Sequence, residues 1–133
     1  MNEPCIDGSC SKMKRAFFEV WYSIPAEDLD HLIGRVKKVV YFTGEDLGSW
    51  NNRTGEIGLN AEKLQTKAYE EIYKVVAHEL SHAYCSWHTF KDERQLVSHE
   101  DEANRLARDW GFPNPEHENY IHELKIKGVY SFT

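Results

Sequence analysis

The chain has 133 residues, enough for one domain and hardly enough for two. Apolar residues make up 41%, with 4 Trp, 7 Tyr and 6 Phe, so one packed core is expected and disorder as the main state is excluded. The formal net charge of -6 argues against a general nucleic-acid binder, since the only basic run is Lys37-Lys38 flanked by Arg35, and this leaves room for no more than a local basic patch.

In chain order, residues 1–11 read as a flexible leader before a single domain at 12–133. The leader has no basic region followed by an apolar stretch, so it is not a signal peptide, and no run is long enough to span a bilayer. The expected compartment is the cytoplasm. Cys5 and Cys10 fall in the leader, and with Cys85 they make an odd, low count that argues against a disulfide scaffold. The plain reading of Cys5 and Cys10 is two incidental surface thiols. A sharper one is a leader thiolate that reaches a metal and blocks it.

Residues 12–22 start the fold as a short helix. Ser23-Ile24-Pro25 opens another, with Pro early and Glu27 and Asp28 in its first turn. Residues 36–43 are β-branched and aromatic and form a strand. Residues 44–55 are rich in Gly, Asn and acids and form a loop. Residues 56–60 alternate and form a second strand, placed at a sheet edge. A long helix runs from 68 to about 87. A second covers 98–110, with Ser98 and Asp101 at capping-box spacing and Gly111 and Pro113 at its end. A third covers 115–127 and ends at Gly128. Residues 129–133 are extended. The order of strands and helices makes an α+β fold.

The long helix carries the chemistry. On a wheel set at Ile72, Val76, Leu80, Ala83 and Trp87 share one side within roughly 80° and form the core face. His78 and His82 stack one turn apart on the opposite stripe. Two imidazoles so placed bind a single Zn²⁺. Glu79 points near the metal without having to ligate it, where a general base for an attacking water belongs. Residue frequencies give roughly 0.04 chance matches to His-Glu-x-x-His in a chain of this composition.

A catalytic zinc has three protein ligands and an open position, so a third is needed. His88 has the spacing used by metzincins, but Cys85 stands where their helix-breaking Gly belongs. On an unbroken helix His88 points about 120° away from His82. Glu100 lies on the next helix, one turn before Asn104 and beside a core face of Ala103, Leu106, Ala107 and Trp110. The small alanines let the two helices approach closely, so Glu100 is the chosen ligand. Asn104 then steadies a ligand by a hydrogen bond. His99 is the third candidate. Tyr84, Tyr120, His117 and His122 are candidates for stabilising an oxyanion, with His117 and His122 read first as surface histidines.

This arrangement resembles the gluzincins, and more closely the ImmA/IrrE-type metallopeptidases. The residues that carry the likeness are Gly55-Glu56-Ile57-Gly58-Leu59-Asn60, His78-Glu79-Leu80-Ser81-His82 and Glu100-Asp101-Glu102-Ala103-Asn104. The resemblance implies a small single-domain zincin-like fold, with a short β-sheet packed on an active-site helix and a glutamate helix. It implies a zinc peptidase with His78, His82 and Glu100 on the metal and Glu79 as base. It also implies a protein or peptide substrate, often one regulatory protein, paired along the short strand. The helix-turn-helix domain that often accompanies such peptidases is not expected within these 133 residues. Two other readings compete: a non-catalytic metal-bearing module that binds a protein partner, and a structural domain with a relic motif.

Overall fold

The computed structural model describes residues 3–85 and 93–127, with the side chains of 93–96 left aside. Its elements are β1 (Cys5–Ile6), α1 (Ser11–Trp21), α2 (Ala26–Ile33), β2 (Lys38–Tyr41), β3 (Gly48–Asn51), β4 (Glu56–Leu59), α3 (Ala61–Leu64), α4 (Tyr69–Cys85), α5 (Glu93–Asp109) and α6 (Pro115–Lys127). The α+β expectation holds.

Apolar spacing explains α1. Met13, Ala16, Phe17, Val20 and Trp21 recur at helical period and are all buried. They meet Ile72, Val76, Leu80 and Ala83 of α4, which are fully buried as the wheel required. Val39 of β2 and Ile57 and Leu59 of β4 close the same core from the sheet. Trp87 lies outside the described residues. A smaller cluster of Val97, Ile121 and Leu124 joins α5 to α6. The Trp110 indole donates to Asp28 Oδ2 at 2.9 Å and ties the end of α5 to α2.

The sheet corrects three expectations. First, Cys5–Ile6 of the expected leader pairs in parallel with Lys38–Val39, so part of the leader belongs to the sheet. Second, the expected loop 44–55 contains β3, antiparallel to β4. Its strand character comes from a tight hairpin: Gly55 N–H donates to Asn51 O, and Asn51 Oδ1 accepts from the backbone of Arg53 and Thr54. Gly55 has φ +73°, a left-handed turn position suited to glycine. Third, β4 is not an edge. The order is β1-β2-β4-β3, so β3 supplies the edge next to the helices.

Helix α5 begins at Glu93, which places Ser98 inside it and removes the capping-box reading. The C-terminal stop is as expected: Gly111 takes φ +101° and Phe112 N–H donates back to Ala107 O. Residues 128–133 lie outside the described residues. No described helix is long and apolar enough to cross a membrane.

Candidate metal centre

Side-chain donors reach carbonyls along the functional stretch of α4. Ser81 Oγ donates to Ala77 O at 2.7 Å within the helix. At the C-terminal end, where backbone carbonyls lack partners, the Arg35 guanidinium donates to Ala83 O at 3.1 Å and to Tyr84 O.

On the face away from the core, His78 Nε2 and His82 Nε2 stand 3.1 Å apart. Helix α5 packs beside α4, with Ala103 and Ala107 buried between them. Across that contact, Glu100 Oε2 reaches 2.9 Å from His78 Nε2 and 3.4 Å from His82 Nε2. Three donors on one tetrahedral zinc stand roughly 3.3 Å apart, close to these separations. Oε2 is buried and accepts no well-directed hydrogen bond from either ring, so it is a polar atom in need of a partner. Burial pushes the Glu100 carboxyl up, but the two imidazoles facing it outweigh burial and hold it well below the usual carboxylate range. The donor chemistry and the orphaned oxygen both fit a cation.

His117, in the first turn of α6, is the residue that sequence reasoning undervalued. Its ring lies 5.2 Å from the His78 ring, edge to face. One ligand atom each from His78, Glu100 and His117 lie within 4.8 Å of one another, so these three also form a group able to hold an ion. Two donor sets thus share His78 and Glu100. The set completed by His82 is tighter, and adding His117 to it would close the open position that catalysis needs. Asn104 is buried and sits 2.9 to 3.1 Å from His117 Nδ1, which identifies the ring it steadies. With Nδ1 protonated, Asn104 Oδ1 accepts and Nε2 is free to accept in turn. The signal for this pairing was the Pro113-Asn114-Pro115 turn, which folds α6 back along α5.

The other candidates are dispersed. His99 is buried on α5, and burial holds its imidazole below the ordinary value. It is outside the ion-holding group found among the described residues. His88 lies outside the described residues. Tyr84 packs its ring against His31 and Trp110 rather than the cleft. Tyr120 is exposed with its ring 6.3 Å from His117, and His122 is on the surface. Cys5 lies in β1, at the sheet edge opposite β3, roughly 14 Å away by strand spacing. Neither Cys5 nor Cys10 lines the cleft at the metal centre, and Cys10 packs against the main core.

A cleft of about 400 Å³ opens on His78, Glu79 and His117, with Gly48 and Asp46 on its other wall. Glu79 is buried there. Burial pushes its carboxyl up to about 7; His78 opposes this, while Glu100 and Asp46 add to it. Gly48 allows the close approach of β3, because a Cβ there would stand 2.8 Å from Val75 Cγ1 and 2.9 Å from Glu79 Cγ. The loop before β3 is pinned by Asn60. Its Nδ2 donates to Gly44 O and Asp46 O at 3.0 Å each, and its Oδ1 accepts from Lys63 N at 3.2 Å. Asn60→Ala removes both bonds to the loop and the cap of α3 together. It is expected to cost about 2–4 kcal/mol, read as a lower midpoint in urea with the slope unchanged.

An α+β domain with two helix-borne histidines, a buried glutamate between them and a facing carboxylate from the next helix defines the zincin-like class of metal-dependent, peptidase-related proteins. Residues 33–116 match the family model described as SprT-like, and the chain belongs to that family. No curated protein and no solved structure matches it. The match is to the SprT-like model, while the ImmA/IrrE likeness rests on the short segments that suggested it.

Proposed function

We propose that this chain is a zinc-dependent peptidase, with His78, His82 and Glu100 as ligands and Glu79 as general base. The observation that carries the reading is the convergence of His78 Nε2, His82 Nε2 and Glu100 Oε2 within 3.4 Å, beside a buried carboxylate in an open cleft. Zinc held there supplies Lewis acidity toward the scissile carbonyl and lowers the pKa of water. Glu79, buried beside the three donors, takes the proton of the attacking water and hands it to the leaving amine. His117 borders the same cleft; in its other tautomer, with Asn104 Nδ2 donating to Nδ1, the Nε2–H is suited to donate to the developing oxyanion.

The substrate is an extended peptide segment paired along β3, whose outer side is an edge of the sheet. The sequence expectation placed this pairing on residues 56–60, but β4 already has neighbours on both sides. The ImmA/IrrE likeness adds one regulatory protein as the target. Cytoplasmic action belongs to the same reading, and three free cysteines suit a reducing compartment. A non-catalytic module needs the three donors too, but it has no use for a carboxyl buried beside them at a cost in solvation.

The zinc-loaded protein should cleave members of a randomised peptide library, read by mass spectrometry. Chelation should stop cleavage and added zinc should restore it. Cleavage that survives full removal of the metal overturns the proposal.

A further inference from the structure

We infer that the basic cavity at the Asn51 end of β3 is a subsite for an acidic segment of the peptide substrate. This deepens the peptidase reading and rests on it. The cavity has a volume of about 320 Å³ and is walled by Arg35, Lys37, Trp50, Arg53, Thr54 and Gly55. It brings three cations together in a chain of net charge -6. Among the described residues none of the three is in an ion pair, although carboxylates outnumber basic groups in the chain. The neighbouring carboxylate, Glu56, is off the wall and accepts from Thr54 Oγ1 at 2.9 Å.

The wall is pre-organised. Arg35 is fixed by its bonds to the α4 carbonyls. Arg53 sits in the hairpin turn braced by Asn51 Oδ1, and a Cβ at Gly55 would strike Arg35 O at 2.6 Å, so the turn is packed tightly on the Arg35 backbone. Cations held before the ligand arrives lose less entropy on binding. Trp50 adds its side chain to the same wall.

Strand β3 connects this cavity to the catalytic centre. It starts at Gly48, against Glu79, and ends at Asn51, beside the basic turn. At about 3.4 Å per residue the two ends are roughly 10 Å apart. A peptide paired on the open edge therefore puts a side chain into the basic cavity about three to five residues from the bond facing Glu79. In antiparallel pairing that residue is on the N-terminal side. Asp or Glu there meets Arg and Lys in charge-assisted hydrogen bonds. A nucleic acid following the same path would carry its phosphates onto Glu45 and Asp46 at the other end of the strand, so the geometry favours an acidic peptide.

The test uses the zinc-loaded full chain and two sets of peptides. Each set is built on one fixed extended peptide and carries an Asp-Glu pair toward its N-terminal or its C-terminal side, or the same pair as Asn-Gln. Binding is measured by fluorescence anisotropy on Glu79→Gln, and cleavage on the wild type. The acidic pair on the N-terminal side should tighten binding about tenfold near 0.05 M salt and lose most of that gain near 0.5 M salt. Lys37→Ala with Arg53→Ala, both on exposed residues, should bring the acidic-to-neutral ratio close to one while the melting temperature stays within about 2 °C. Arg35 is left intact because it caps α4. Cleavage with no acidic preference overturns the subsite and leaves the peptidase reading standing. Acidic preference in binding with no cleavage by the wild type supports the subsite and overturns peptide hydrolysis. Binding of neither peptide overturns the subsite. A single-stranded oligonucleotide that displaces the acidic peptide and is itself lost in the Lys37/Arg53 variant overturns the assignment to peptide.

Discussion

Glu79→Gln is expected to keep one zinc per chain and to lower turnover by about 10²- to 10⁴-fold. The amide preserves the volume that Gly48 and Val75 pack around, and all three proposed donors are untouched. What is lost is an acceptor for the proton of water, so kcat falls while the metal content, read by elemental analysis, does not. Retained cleavage at wild-type rate would remove Glu79 from the mechanism. The same variant has a second signature in the metal-free protein. The buried Glu79 carboxyl is raised from 4.5 to about 7. Between those values the folded chain holds a proton that the unfolded chain has released. Stability from the neutral carboxyl is thus complete below about pH 4.5 and is lost as pH rises through about 7. Gln is neutral throughout, so metal-free Glu79→Gln should gain on the wild type as pH rises, by up to about 3 kcal/mol at pH 8. Equal urea midpoints at pH 5 and pH 8 would show that Glu79 is not desolvated as its burial requires.

The helices were legible because their apolar residues repeat at helical period over many turns. The wheel placed Ile72, Val76, Leu80 and Ala83 in the core and left His78 and His82 opposite, as observed. Glu100 was legible for the same reason, since the alanine face of α5 fixed which edge would meet α4. Strand β3 was not. Gly48-Ser49-Trp50-Asn51 has no local strand pattern, and it extends because β4 offers a ladder and Gly48 fits against Glu79. Missing β3 also misplaced the sheet edge, and with it the surface available to a peptide. His117 was hidden in another way. Nothing on α6 marks it off from His122, and its place depends on how α6 folds back toward Asn104. Local pattern thus placed His78, His82 and Glu100 on facing sides of two helices, while the groups set by chain reversal came only from the fold.

Glu100→Ala is expected to weaken zinc binding by more than about 10²-fold, the largest effect of any change outside the two helix histidines. It removes the only carboxylate whose oxygen lies within 3.4 Å of both His78 Nε2 and His82 Nε2 among the described residues. His117→Ala should cost less, about tenfold, because its ring supports the site from the cleft side and is itself steadied by Asn104. The two changes should not add. In Glu100→Ala, His117 is close enough to His78 to take over as a donor, so the double variant should lose far more affinity than the sum of the single losses. His99→Ala should leave zinc affinity within about threefold of the wild type, since its cost falls on packing; the same is expected of His88→Ala from the wheel argument. Affinities from competition with a chromogenic chelator decide the matter. If Glu100→Ala keeps wild-type affinity, or if His99→Ala or His88→Ala loses it, the third ligand is reassigned. The role of Glu79 is tested separately by its own variant, so the base and the ligand set stand or fall independently.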